Sequence, residues 1–393
     1  MPRQLFPTLR ILSIGRWRPI TVSLLLSAFC LIGMTVVLNA QTNPNPHQLS
    51  NIKQNTFSLE QLTTTANDEF TLYWISPDAK NTSRIAWGDA DGDGDLDLAV
   101  GNREQINQLY LNDGAKNFSP SDLGPEVRAS TSIAWGDADG DGDLDLAVGN
   151  INTYDLDCFC YLTDGINQLY INDGSGHFTA FDLGTESRHT ESIAWGDADG
   201  DGDLDLAVGN YEGYPCYCGV SQLLINDGSG HFNARDLDPA AKPTTTIAWG
   251  DADNDGDLDL AVGNENEINQ LYYNDGTGHF TPVDLGTEVQ QTTALAWGDV
   301  DNDGDLDLAV GNLATWVTSD YENGETQLYL NDGLGNLMVV SDTLGIASSR
   351  TTSIMWGDAD NDGDLDLAVG NTSQTDQLYL NNGTGSFTST LNI

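Results

Sequence analysis

The chain has 393 residues and carries 60 acidic against 14 basic side chains, a formal net charge of −46. That balance excludes nucleic acid and anionic membrane surfaces as partners. Acidity of this order often accompanies disorder, but 39% of the residues are hydrophobic and the aromatics are regularly placed, which excludes that reading.

The chain begins with Arg3, Arg10, Arg16 and Arg18, followed by an apolar run from Ile20 to Leu38 and then Ala40-Gln41, with no acid before residue 41. Arginines ahead of an apolar run and a small residue at its end read as an export signal spanning 1–40. An uncleaved membrane anchor is the alternative, and in both cases the rest of the chain is exported. Without this segment 60 acids face 10 bases, 14 less four. Residues 41–56, polar and rich in Asn and Pro, read as a flexible lead-in.

Internal repetition dominates residues 57–393. Trp87, Trp135, Trp195, Trp249, Trp297 and Trp356 each open a Trp-Gly-Asp motif, at spacings of 48, 60, 54, 48 and 59 residues. Each unit has one grammar: an apolar stretch into Trp-Gly-Asp, an aspartate-rich loop, "LDLAVGN", a variable stretch, "QLYLND" or a near copy, and then a Phe-bearing segment. The alternation and the Asn-Asp-Gly turns predict four short strands per unit. No helical periodicity competes. Four strands in units of 48–60 residues predict an all-β fold, a β-propeller, with the tryptophans packed between neighbouring blades. Phe70 precedes Trp87 by 17 residues, as Phe118 precedes Trp135, so 57–76 read as a degenerate half blade. Six complete blades and a half point to a seven-position ring, with a six-blade ring and an appended hairpin as the alternative.

The aspartate loop carries acids at positions 1, 3, 5, 7 and 9, with Gly at 6. These are Asp89, Asp91, Asp93, Asp95 and Asp97 in unit one; Asp137, Asp139, Asp141, Asp143 and Asp145 in unit two; and Asp197, Asp199, Asp201, Asp203 and Asp205 in unit three. Units four to six carry Asp251, Asp253, Asp255, Asp257 and Asp259; Asp299, Asp301, Asp303, Asp305 and Asp307; and Asp358, Asp360, Asp362, Asp364 and Asp366. Like charges this close repel unless a cation joins them. Calcium takes about 6–8 oxygen ligands in a flexible shell, which side chains at 1, 3, 5 and 9 and the carbonyl at 7 can supply once Gly at 6 turns the chain. Magnesium prefers a rigid octahedron with its waters, and zinc wants His or Cys, neither of which lies in the loops. An EF-hand begins alike but needs Glu at position 12, where unit one has Val100 in a predicted strand. About six Ca2+ sites are therefore expected.

This constellation resembles the FG-GAP/VCBS repeat family, which includes the calcium loops of integrin alpha subunits. The resemblance covers about residues 57–393 and rests on the D-x-D-x-D-G-x-x-D loop after an apolar strand. It implies a β-propeller with calcium between the first two strands of each blade. The half unit departs from the pattern, since it has no such loop.

Alternating strand direction puts the metal loops and the third-to-fourth turns on one face, and the second-to-third connections on the other. Those connections hold 5, 17, 11, 5, 14 and 5 residues in units one to six. Their long members are rich in aromatics, as recognition loops are. Tyr154, Phe159, Tyr161, Tyr211, Tyr214, Tyr217, Trp316 and Tyr321 are the candidate contact residues; the alternative is that they pack locally over the ring. Cys158 and Cys160 lie in one insertion and Cys216 and Cys218 in the next, and in an exported chain they are expected to form disulfides, between or within the loops, with a zinc site as the alternative. His177, His231 and His279 recur at one turn position, which reads as structural. With no nucleophile motif or phosphate loop, the chain reads as a non-enzymatic secreted or cell-surface module for adhesion to a protein or glycan. A lectin-like or polysaccharide-active protein and a purely structural module are the alternatives.

Overall fold

The computed structural model describes residues 80–392 apart from 116, 156–159, 162–164, 212–218, 238–241, 314, 318–319, 323, 341–349 and 388, together with two short strands near the N-terminus. Those two strands, Thr21–Leu25 and Thr35–Asn39, pair antiparallel with Thr21 opposite Asn39. The expected half blade at 57–76 and the lead-in at 41–56 lie outside the described residues. No helix among the described residues is long and apolar enough to cross a membrane.

From residue 80 onward the chain forms six four-stranded antiparallel units. Unit one comprises Thr82–Gly88, Asp97–Gln105, Gln108–Asn112 and Phe118–Asp122. Unit three repeats it with Thr190–Gly196, Asp205–Asn210, Gln222–Asn226 and Phe232–Asp236. In unit four the second and third strands run on as Asp259–Asn274, and the fourth continues into the next unit's first strand as Phe280–Gly298. The register recurs: Trp87 faces Leu98, Trp195 faces Leu206 and Trp249 faces Leu260. This is the architecture of a β-propeller.

The second strand is the most buried: in units three, four and five every residue of its Asp-Leu-Ala-Val-Gly-Asn is inaccessible. Strands covered on both faces read as continuous apolar runs, which explains why "LAV" replaces alternation there. Each hydrophobic cluster draws on two successive units. Ala138, Ala147 and Leu169 of unit two pack with Ile193, Leu206, Val208 and Leu224 of unit three.

The tryptophans seal these seams. The Trp135 indole lies directly over Gly88 of the preceding unit, where an added Cβ would come within 2.9 Å of the ring. Its Nε1–H donates to the Ala86 carbonyl at 3.2 Å. Trp195, Trp249, Trp297 and Trp356 repeat this bond to Ala134, Ala194, Ala248 and Ala296 at 3.1–3.2 Å. Glycine in Trp-Gly-Asp thus leaves room for the next indole. Trp87, with no preceding unit among the described residues, is 53% exposed.

Short second-to-third connections stay in the ladder, as Arg103 pairs with Ala129 and Glu265 with Gln291. Long ones leave it. The unit-five insertion holds its own hairpin, Thr315–Val317 with Asp320–Glu322, and the unit-two insertion another, Tyr154–Asp155 with Cys160–Tyr161.

Candidate metal centre

Each aspartate loop closes the hairpin between the first and second strands, as the sequence predicts. The backbone turns at position 6 with Gly94 at φ 94°, a left-handed value open to glycine. The equivalent glycines of the other loops fall at 96–99°.

The turn folds the carboxylates inward. Asp89 at position 1 accepts from the backbone N–H of Asp93 at 3.1 Å and of Gly94 at 3.0 Å. Asp93 at position 5 accepts from the N–H of Asp95 at 2.9 Å. Asp97 at position 9 is fully buried and takes one N–H on each oxygen, from Ala90 at 2.8 Å and from Asn112 at 2.7 Å. Position 9 therefore clamps the loop to the third strand as well as facing the site. The same pair of bonds recurs at Asp145, Asp205, Asp259, Asp307 and Asp366.

Carboxylate oxygens of Asp89, Asp91 and Asp97 lie within 4.8 Å of one another, as do those of Asp137, Asp139 and Asp145, and of Asp197, Asp199 and Asp205. In units four and five the converging sets are Asp251, Asp253 and Asp255, and Asp299, Asp301 and Asp303. Asp95 at position 7 turns its side chain away: its carboxylate sits against Gly114 in the third-to-fourth turn, as Asp143 does against Gly174.

Burial and neighbouring charge both penalise ionisation here. Burial first, then the neighbouring carboxylates at positions 5 and 1, pushes Asp91, Asp139, Asp199 and Asp253 above the ordinary carboxylate range. Burial pushes Asp145, Asp205, Asp259 and Asp307 up to about 6 despite their two backbone bonds. Four carboxylate oxygens, Oδ1 of Asp91, Asp199, Asp251 and Asp301, are buried with no hydrogen-bond partner. A buried acceptor without a donor costs about 1–3 kcal/mol. A cation at the convergence point satisfies these oxygens and removes the repulsion together. The donor set is all oxygen, which suits a hard divalent ion. The residues present fit a metal ion.

The metal loops and the third-to-fourth turns do share a face. The turn of unit two reaches the loop of unit one, where a Cβ on Gly176 would lie 3.6 Å from the Asp91 Cβ. One seam element was not expected. The Asn that closes the third strand reads in sequence as a turn residue, yet in units two to six its side chain crosses the seam. Asn172 Nδ2 donates to the Ala90 carbonyl at 2.7 Å, and Asn226, Asn274, Asn331 and Asn381 do likewise to Ala138, Ala198, Ala252 and Val300. Position 2 of every loop but the last is thereby tied to the following unit.

Of the candidate contact residues on the opposite face, Tyr211 is half-buried and meets His189 edge-on at 5.3 Å, while His189 Nε2 pairs with Glu191 at 2.7 Å. Tyr154 is opposite Tyr161, and Trp316 opposite Tyr321, in the backbone register of the two insertion hairpins. Phe159, Tyr214, Tyr217, Cys158, Cys216 and Cys218 lie outside the described residues, so the expected disulfides do too; Cys160 is placed only as a strand residue. His177 and His231 are exposed in their turns, with Nδ1 against Ser175 and Ser229 Oγ at 2.8 and 2.9 Å, as a structural turn residue would be.

Fold and loops together define a β-propeller-type repeat protein whose units carry acidic loops with clustered aspartates able to hold a metal ion. More narrowly, residues 89–148, 154–208 and 251–310 match the FG-GAP-like repeat family, so the chain contains three FG-GAP-like repeats. No curated protein matches it. Among solved structures, the computationally designed Ika8 protein is similar at 13% identity and TM-score 0.50, over 78% of this chain and 73% of that one. BBS1N, crystallised in complex with ARL6DN and soaked with mercury, is similar at 13% identity and TM-score 0.50, over 80% of this chain and 83% of that one. At such identity these likenesses concern the fold alone.

Proposed function

We propose that this protein is a secreted or cell-surface, calcium-stabilised propeller that acts as a non-enzymatic binding module for an extracellular protein or glycan. The observation that carries the reading is where the repetition stops. Strands, seams, metal loops and turns recur from unit to unit, while the connections on the face opposite the loops vary from 5 to 17 residues. Stability requires the repeated parts. Length added to one face alone, and rich in Tyr and Trp, serves recognition better than it serves the frame.

Calcium is the ion that best suits six flexible all-oxygen loops without His or Cys. Six bound ions would offset twelve of the negative charges. Millimolar extracellular calcium fills sites of modest affinity, and the arginine-led apolar run at the N-terminus supports export. Aromatic, acidic insertions can stack on sugar rings or anchor in a protein groove.

The test uses the exported protein on arrays of glycans and extracellular proteins, with calcium and with chelator. In three variants, the connection of unit two, three or five is replaced by the five-residue "REQIN" of unit one. At least one variant should lose binding and keep its melting temperature. Binding that survives all three replacements would place recognition elsewhere, and turnover of a polysaccharide would make the protein an enzyme.

A further inference from the structure

Position 4 of the loop is Gly in units one to three and Asn in units four to six. Gly92, Gly140 and Gly200 have φ of 71–73°, and Asn254, Asn302 and Asn361 have φ of 59–63°, so the loop keeps its left-handed turn in both halves. Asn tolerates that conformation, and the exchange is conservative for the backbone.

It is not conservative for what lies beyond. Asn254 Nδ2 donates to Asp305 Oδ1 of the following unit at 2.5 Å, and Asn302 Nδ2 to Asp364 Oδ1 at 2.9 Å. Both acceptors are position-7 residues. Their carboxylates already abut Gly333 and Gly383 of their own third-to-fourth turns, so they have little freedom to follow the Asn if it moves. Asn254 stands between Asp253 and Asp255, two side chains of its own cluster, and Asp305 is the position-7 residue of the next loop, two residues beyond Asp303 of its cluster. One side-chain bond therefore joins a ligand-bearing segment of loop four to one of loop five, and a second joins loop five to loop six. Glycine in loops one to three has no side chain to do this.

We propose that Asn254 and Asn302 are positioning residues that couple the metal loops of units four, five and six, so that these three sites fill cooperatively while those of units one to three fill independently. Filling loop four fixes Asp253 and Asp255, and with them Asn254. Asn254 then holds Asp305 in place, where its carbonyl would be available to an ion in loop five. Asn302 passes the same constraint to loop six. Linkage makes the effect reciprocal: filling loop six also favours loop five. The amide further separates two loops that each carry five aspartates. The inference rests on the calcium reading above.

The experiment is a calorimetric calcium titration of the exported protein, with terbium luminescence as a second readout. N254G/N302G keeps a residue suited to positive φ and removes only the bridges. It should weaken the coupled sites by about fivefold, the low end for coupled sites, and lower the Hill coefficient toward one. N361G, whose loop has no following loop among the described residues, should leave the isotherm unchanged. G200N should extend the coupling to loop three. A Cβ at Gly200 would sit 3.4 Å from the Gly276 carbonyl, an ordinary contact, and the amide would face Asp257. If the wild-type protein binds no calcium, the calcium reading fails. If it binds six ions and N254G/N302G superimposes on it, the coupling fails and the calcium reading stands.

Discussion

Asn226 and Asn112 occupy the same place in units three and one, and replacing each by alanine isolates what one seam bond contributes. Asn226 is 4% exposed. Its Nδ2 donates to the Ala138 carbonyl of the preceding unit at 2.7 Å and to the Leu204 carbonyl of its own loop at 3.1 Å. Among the described residues Asn112 Nδ2 makes only the second bond, to the Leu96 carbonyl at 3.2 Å. Asn226→Ala therefore strips a donor from two carbonyls, and Asn112→Ala from one. Orphaning a buried acceptor costs about 1–3 kcal/mol, so Asn226→Ala should be the worse of the pair by that amount. With an unfolding entropy of about 2.1 cal/mol/K per residue over about 300 residues, 1 kcal/mol moves the melting temperature by about 1.5 °C. The expected difference between the variants is about 2–5 °C by calorimetry in saturating calcium. Repeat arrays can melt in segments, so hydrogen exchange across the seam between units two and three gives a local reading of the same quantity. Equal losses in the two variants would refute the seam bond as a source of stability.

Three further outcomes are expected. Excess chelator should lower the melting temperature markedly, because each loop is then self-repelling and the linkage to bound ion is lost; an unchanged melting curve would sink the metal reading. The gain from calcium should also depend on pH. In the metal-free chain burial holds Asp145, Asp205, Asp259 and Asp307 up at about 6 against an ordinary 3.8, so folding favours their protonated form. The metal-free protein then loses stability as pH rises from about 4 to 6, and calcium, which needs the ionised form, protects less as pH falls through 6. The melting-temperature gain from calcium should shrink between pH 7 and pH 5, and an equal gain at both would contradict this. Finally, Trp249→Ala should cost about 3–5 kcal/mol in chemical denaturation. Trp87→Ala should cost clearly less, since Trp87 is 53% exposed and Trp249 donates across its seam to Ala194.

Much of the frame was legible because it repeats. The Trp-Gly-Asp spacing marked the units and the alternation marked the strands. Other features share a residue type with something simpler and stayed hidden. Asp97 read as one more acid in the row, and nothing in its spacing says that it also holds Ala90 and Asn112. The Asn of Asn-Asp-Gly was a turn signal, correctly, but its amide bonds a carbonyl 82 residues earlier. A single sequence has no signature for a contact at that separation. The insertion hairpins were read as loops, because two or three residues of strand leave no period to detect.

The seam also explains why so acidic a chain can fold around its own charges. Each loop holds its carboxylates by backbone N–H groups of its own turn and of the third strand, so the acids are fixed before any ion arrives. The following unit then caps the loop, through an Asn on position 2 and a turn glycine beside position 3. Each of units two to six thus caps the acidic loop of its predecessor, and an ion bound there would stiffen the surface on which the next unit packs. On the calcium reading, stability and metal binding become one property of the seam. Consistent with that, among the described residues the last unit is the least covered: Met355, which stands where Ala86 stands in unit one, is 70% exposed, and nothing lies within 4 Å of a Cβ built on Gly357. Loop six, uncapped among the described residues, should therefore be the weakest site when read alone. Asp362→Asn should cost less melting temperature in calcium than Asp201→Asn, whose loop is capped by unit four, and the reverse order would separate metal binding from the seam.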